Sequence, residues 1–380
     1  MLKNKDKGIT LIALVITIII LLILAGISIS ALTNQGLFKN AKIAQNATEK
    51  AEKEQGQRLN EYEDEINKYL ENEDENTKAF KEKVGKVLST IDNTELKDAK
   101  NNKIVVPAGF KIVEGATTVD KGIVIEDVTE TATKGSQFVW IPVGTITKSD
   151  GTTATITLGR YDFDSTTGKE SAYSGSHIEE DANDASTLKK WGNTIAKNIT
   201  NFKNSVATNG GYYIGRYEAR TATARSASGN ALTQITEKGT ENVYNWVTQL
   251  QAAQLSQNMY NNDNFTSDLM NSYAWDTATV FIQNCGTNSK YSRQNSLNTS
   301  LSQTGTNSLT DTSKTDVQCN IYDMASNIRE WTTETSIDSS NPCVNRGGYY
   351  DNSNYCTSNR NFSYTSSSNN NRGFRPLLYL

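Results

Sequence analysis

The chain has 380 residues, 36% of them hydrophobic, with a formal net charge of −4, one histidine and four cysteines. That length exceeds one typical domain, so an N-terminal element plus a large globular unit is the starting expectation. The acidic balance gives no basic stripe to neutralise phosphates, which argues against nucleic acid as a partner. The lone His177 excludes a multi-histidine metal site, and no obvious Ser-His-Asp set is present.

Residues 1–8 are short and basic, with Lys3, Lys5 and Lys7. From Ile9 to Ile29 the chain carries no charge, and about 20 apolar residues at ~1.5 Å each match the ~30 Å hydrocarbon core. The reading is a transmembrane helix over 9–29. Lysines lie on its cytoplasmic side, and the C-terminal region lies outside a single-pass cell membrane.

Gly8-Ile9-Thr10-Leu11-Ile12-Ala13-Leu14 resembles the start of type IV prepilins and pseudopilins. The resemblance implies cleavage after Gly8, Ile9 as the new N-terminus, and pilin-like subunits as partners. Ala13 stands where that family usually has Glu. A plain membrane anchor fits the same residues.

Residues 30–100 read as a helical stalk: the segment is rich in Lys, Glu and Ala and lacks proline. Leu59, Tyr62, Ile66, Tyr69 and Leu70 recur at helical spacing. From Lys103 the pattern changes to short runs of Val, Ile, Phe and Trp bounded by turn residues. Lys103–Val106, Gly122–Ile125, Gln137–Pro142, Thr152–Leu158 and Tyr212–Glu218 read as strands. Ile195, Ile199, Phe202 and Val206 set one apolar helix face, stopped at Asn209-Gly210-Gly211. Val243, Val247 and Leu250 mark a second helix, and Trp275, Ala278, Phe281 and Ile282 a third. The fold class expected for 103–380 is α+β, with much irregular loop.

Several segments of 103–380, in order, resemble the formylglycine-generating enzyme (sulfatase-modifying factor) family. They are Phe138-Val139-Trp140-Ile141-Pro142, Gly215-Arg216-Tyr217-Glu218, the run Tyr322–Trp331, Arg346-Gly347-Gly348 and Gly373-Phe374-Arg375. The resemblance implies a C-type-lectin-like fold. The family's L-P-T-E-A-E-W-E stretch is degraded here to Leu269-Met270-Asn271-Ser272-Tyr273-Ala274-Trp275-Asp276. Trp140, Trp275 and Trp331 are expected in the core. Asp323, Asn327 and Glu330 either satisfy turns and buried backbone or ligate a structural calcium ion through oxygen. The turn role is the expectation, with no other metal or cofactor.

The family's enzymes use a cysteine pair between R-G-G and G-F-R, where this chain has Cys356 alone, and related iron enzymes need a histidine cluster. No catalytic residue is therefore assigned, and the chain is read as a binding protein rather than an enzyme. Cys285, Cys319, Cys343 and Cys356 permit three complete disulfide pairings, among which Cys343–Cys356 would brace the last loop.

Residues 349–372, YYDNSNYCTSNRNFSYTSSSNNNR, combine Tyr with Ser, Asn and Asp much as antibody loops do. Every residue in the segment is reachable from the codon AAC by changing one or both adenines, whereas Lys, Glu, Gln, Trp and Met are not reachable and are absent. This resembles the variable region of a diversity-generating retroelement target protein. The expected ligand contacts are Tyr349, Tyr350, Asp351, Asn352, Asn354, Tyr355, Asn359, Asn361, Phe362 and Tyr364. The partner would be a surface protein or glycan; the alternative readings are a minor pilin or pseudopilin and, ranked last, a formylglycine-generating-type oxidase acting through Cys356.

Overall fold

The computed structural model describes residues 7–34, 37–71, 73–129, 132–179, 199–297, 299–302, 316–352 and 354–380; side chains are described in all of these except 7–13, 31–34, 37–38 and 64–71. The chain divides into two units, Met1–Glu73 and Asp74–Leu380. The first holds two helices, α1 (Lys7–Asn34) and α2 (Leu37–Glu71).

Among the described residues no helix is long and apolar enough to cross a membrane. This corrects the transmembrane expectation for 9–29 and, with it, the single-pass membrane localisation. Gly8 and Ile9 lie outside the described side chains, and Met1–Asp6 of the leader lie outside the described residues. Ile66, Tyr69 and Leu70 of the stalk reading also lie outside the described side chains.

The second unit begins earlier than residue 103. Residues 75–100, expected as stalk, instead carry α3 (Glu75–Lys81) and a strand, Thr94–Lys97, that pairs antiparallel with Lys103–Val106. Asp74 caps α3 by accepting from Thr77 N at 3.0 Å, and Phe80 is buried in the main core. An acidic N-cap with a buried aromatic on the following turn fixes such a short helix.

The architecture is mixed α+β. Its centre is a six-stranded sheet in the order Thr266–Leu269, Pro376–Tyr379, Gly211–Gly215, Gln137–Pro142, Val124–Asp127, Phe110–Ile112. Side chains alternate across a strand, which explains the unbroken apolar run at 138–141. Phe138 and Trp140 enter one core with Tyr213, while Val139 and Ile141 enter a second with Tyr212 and Ile214. The second core also holds Phe202 and Val206 of α4 (Ile199–Asn209) and Trp275, Ala278 and Phe281 of α6 (Ser272–Cys285). Ile195 lies outside the described residues.

On the first core, α5 (Gln249–Gln257) contributes Ala252 and Ala253. This helix starts later than the Val243 periodicity predicts. Trp246 has a φ of 55°, and Thr248 forms a capping box with Gln251, so the helix begins where its backbone donors are satisfied.

A second, five-stranded sheet contains Ile178–Glu179, Arg329–Thr335, Cys343–Arg346 and Arg360–Ser363, with Arg372–Phe374 pairing parallel to Arg329–Thr335. Trp331 and Phe374 carry this sheet into the first core. Trp140, Trp275 and Trp331 are all fully buried.

Glycines 347 and 348 explain the R-G-G segment. Gly347 has a φ of 80°, and a Cβ on Gly348 would lie 2.3 Å from Ala325 O and 2.7 Å from Tyr355 O. Both obstacles are backbone, so neither can swing aside. Replacing Gly348 with Ala is expected to destabilise the fold by roughly 1–3 kcal/mol, read as a lowered midpoint in chemical denaturation.

A polar knot lies between the sheets. Arg375 donates to Glu330 Oε1 and Oε2 at 2.6 and 3.0 Å, to Gly215 O at 2.8 Å and to Tyr322 O at 2.7 Å. Glu218 accepts from Asn327 Nδ2 at 2.5 Å and Ile328 N at 3.0 Å. Beside them Asp323, at a φ of 63°, is buried with no hydrogen-bond partner on either carboxylate oxygen. Burial, followed by the nearby Asp316 carboxylate, pushes the Asp323 carboxyl up to about 7.

A carboxyl whose folded pKa is raised does not disturb stability below its unfolded value. It destabilises the fold progressively as pH rises from about 4 to about 7. Asn tolerates the same left-handed backbone and cannot ionise. Asp323→Asn is therefore expected to stabilise the protein by roughly 2–4 kcal/mol at pH 8 and hardly at all at pH 4. Equal effects in denaturant titrations at both pH values would show that ionisation is not the cause.

Candidate ligand-binding face

The segment 349–372 leaves the Cys343–Arg346 strand and returns through Arg372–Phe374. Buried charge fixes the strand that leads into it and its own middle. Arg346 is fully buried and donates to Asp276 Oδ1 at 2.6 Å and Glu334 Oε2 at 3.4 Å. Arg360 reaches the same two acids, at 2.5 Å to Asp276 Oδ2 and 2.9 Å to Glu334 Oε1, and Arg160 meets Glu334 Oε1 at 2.5 Å. Burial alone would push Glu334 up, but Arg360, Arg346 and Arg160 outweigh it and hold its carboxyl below the ordinary range.

Glu179 sits at the edge of this cluster, accepting from Ser272 N at 2.7 Å and from the hydroxyl of Thr333. Burial pushes its carboxyl up to about 7, against the pull of Arg160.

Between its ends the segment is pinned at several points. Trp275 Nε1 donates to Thr357 O at 3.0 Å, Arg346 Nε to Asn359 O at 3.1 Å, and Tyr350 N to Asn327 O at 3.0 Å. Trp246 N donates to Asn369 O at 3.0 Å, and Asn245 Nδ2 to Asn370 O at 3.0 Å. A polar loop whose backbone donors and acceptors are met this often is held in one shape.

The ten expected contact residues divide into three groups. Asp351, Asn354, Phe362 and Tyr364 are exposed, with Phe362 at 50% and Tyr364 at 58%. Tyr349, Tyr350 and Tyr355 are half-buried and cluster together: the Tyr349 ring lies 6.3 Å from Tyr350 and 5.8 Å from Tyr355. Tyr350 Oη also accepts from Asn370 Nδ2 at 2.8 Å.

The three remaining asparagines shape the chain. Asn352 Oδ1 accepts from Asn354 N at 2.8 Å, and Asn359 Oδ1 accepts from Cys356 N at 3.0 Å. Asn361 is half-buried in its strand. Phe362 lies apart from the tyrosine cluster, edge-on to His177 at 6.0 Å. Burial holds His177 below the ordinary imidazole value.

Two residues central to this face were not singled out from sequence: Arg329 and Arg372. Arg329 lies 4.2 and 4.1 Å from the ring centroids of Tyr349 and Tyr355, and Arg372 lies 5.7 Å from that of Trp331. A signal existed, because Arg329 lies within the run Tyr322–Trp331 that carries the family resemblance.

Cys356 carries a free thiol, so the Cys343–Cys356 brace is not formed. Cys343 faces the first core, while Cys356 Sγ donates to Asn359 Oδ1 at 2.8 Å. Among the described residues no group of three or more His, Cys, Asp or Glu side chains is placed to hold a metal ion. Asn327 Oδ1 accepts from the backbone N–H of Ser302, as expected of it, whereas Glu330 pairs with Arg375 and the Asp323 carboxylate has no hydrogen-bond partner among the described residues.

No protein-family model matches the chain, and no curated protein matches it in sequence. Three solved structures are similar in shape. Treponema denticola variable protein 1 is 13% identical, with a TM-score of 0.35 over 66% of this chain and 98% of that one. PvdO from Pseudomonas aeruginosa is 10% identical, with a TM-score of 0.33 over 65% and 95%. CarF is 13% identical, with a TM-score of 0.29 over 44% and 86%. At TM-scores this low the likenesses bear no weight for function.

Proposed function

We propose that the second unit is a ligand-binding domain of C-type-lectin-like type, with residues 349–372 as a diversified recognition surface. The observation that carries this reading is a pair of exposed aromatics, Phe362 and Tyr364, on a segment flanked by buried ion pairs at Arg346 and Arg375. Exposed aromatic area on a rigid support binds with little loss of side-chain freedom, which is how recognition loops gain affinity. The convergence of separated motif residues on Arg375 supports the fold assignment: Gly215, Tyr322 and Glu330 all bond to it.

The division of the segment into exposed and buried positions sharpens the diversification reading. Thr357 and Ser367 are buried, whereas Asp351, Asn354, Phe362, Tyr364, Thr365 and Ser366 are exposed. Changes at the exposed positions alter the surface without disturbing the packing beneath.

Sequencing the 3′ end of the gene across a population of the source organism tests the proposal. Substitutions are expected within codons 349–372, concentrated at the exposed positions and sparse at Thr357 and Ser367. A uniform segment, or changes spread evenly along the gene, would remove the diversification reading. In parallel, Phe362→Ala with Tyr364→Ala should shift the melting temperature by no more than about 2 °C. A larger fall would make these two aromatics part of the scaffold.

A further inference from the structure

Arg329 and Arg372 are directly paired positions on neighbouring parallel strands, so their side chains leave the sheet side by side on one face. Arg329 is only 8% exposed. Elsewhere, buried arginines of this unit are matched. Arg346 meets Asp276 and Glu334, Arg375 meets Glu330, Arg220 meets Glu218, and Arg225 donates to the carbonyls of Asn245, Ala231 and Trp246.

Arg329 and Arg372 have no such acid among the described residues. The Nε of each is inaccessible to solvent and lacks an acceptor. Their surroundings are aromatic: Tyr349 and Tyr355 around Arg329, and Trp331 beside Arg372. One neutral bond, Arg372 Nη2 to Ser363 Oγ at 3.1 Å, is the polar contact made by the two guanidiniums. Asp351, in the same segment, is exposed.

Two like charges side by side on adjacent strands are unfavourable, and partial burial makes them more so. Ring faces offset part of that through cation–π attraction but use none of the N–H donors. A planar guanidinium presents those donors as a fork that fits the two oxygens of a carboxylate. Two forks side by side, bordered by tyrosines, form a receptor for one acidic group.

We propose that Arg329 and Arg372 bind a carboxylate of the molecule recognised by this face, so that the ligand is acidic at its point of contact. The inference deepens the reading of 349–372 as a recognition surface and rests on it. Arg329 lies outside that segment, so the anion receptor would be half constant and half at the segment's edge.

Calorimetric titration of the full chain tests this, with N-acetylglutamate and N-acetylneuraminic acid as carboxylate probes and inorganic phosphate as comparison. Saturable millimolar binding of a carboxylate is expected, weakened at least about tenfold in Arg372→Gln. Arg372→Lys should recover part of it, because charge returns without the fork. Thermal melts of both variants should stay within about 2 °C of the parent, since Arg372 is half-exposed. Preference for the amino-acid probe assigns an acidic protein side chain as the source, and preference for the sugar acid assigns an acidic glycan.

Three results would overturn the inference: no carboxylate binding at about 20 mM, well above the millimolar affinity expected, equal binding by Arg372→Gln, or tighter binding of phosphate than of either carboxylate. The titration and the population sequencing fail independently. Uniform codons 349–372 would remove the diversified surface without altering anion binding, and a flat titration would leave the variability of the segment untouched.

Discussion

The recognition face depends on the buried contact between Arg346 and the paired acids Asp276 and Glu334. Each of these three side chains is fully buried, and they come from separate elements: the Cys343–Arg346 strand, α6 and the Arg329–Thr335 strand. Taking such charges out of water is unfavourable by several kcal/mol per ion, so a buried network is poor evidence of net stability. Its consequence is geometric. Removing any member leaves an uncompensated charge, which makes alternative placements of these elements far less favourable than the native one. Arg360 and Arg160 complete the neutralisation from the rim. The start of segment 349–372 therefore sits on a frame supplied by Asp276, Glu334 and Arg346 outside it, with Arg360 the member of this network that lies within the segment.

The polar knot around Arg375 plays the same part at the other end and explains what was legible in the sequence. Gly215, Tyr322, Glu330 and Arg375 belong to three short runs that each look unremarkable. They occur together because one guanidinium bonds to all the others. Sequence order revealed the co-occurrence, while the contact that requires it appears only in three dimensions. The same holds for Gly348, whose missing Cβ makes room for the carbonyls of Ala325 and Tyr355.

Other features were less legible for identifiable reasons. The strands at 103–106 and 137–142 announce themselves by apolar runs that feed two cores. The helix reading through Val243 failed because a single positive φ at Trp246 and a capping box at Thr248 outweigh a three-residue periodicity. Residues 75–97 read as stalk because Lys and Glu dominate them, yet one buried Phe80 suffices to bind α3 to the core. The apolar N-terminal run was read by counting residues to a membrane thickness. Among the described residues, however, no helix is long and apolar enough to cross a membrane. Within 349–372 composition marked the segment but could not sort it: Asn352 and Asn359 hold turns, while Phe362 and Tyr364 face outward.

That sorting bears on how a surface can vary without losing its fold. The constant elements satisfy the segment's backbone through Trp275, Arg346, Asn245 and Asn327, none of which lies within it. Side chains inside the segment are then required for packing at few positions, such as Thr357 and Ser367. The same division separates two uses of arginine in one domain. Where an acid is built in, as at Arg346 and Arg375, the charge is spent on architecture. Where aromatic rings surround the guanidinium and no acid is supplied, as at Arg329, its hydrogen-bonding capacity remains open. A fold that neutralises its other buried arginines with acids or backbone carbonyls, and leaves a pair unmatched at its most variable-looking surface, keeps that pair for an anion from outside.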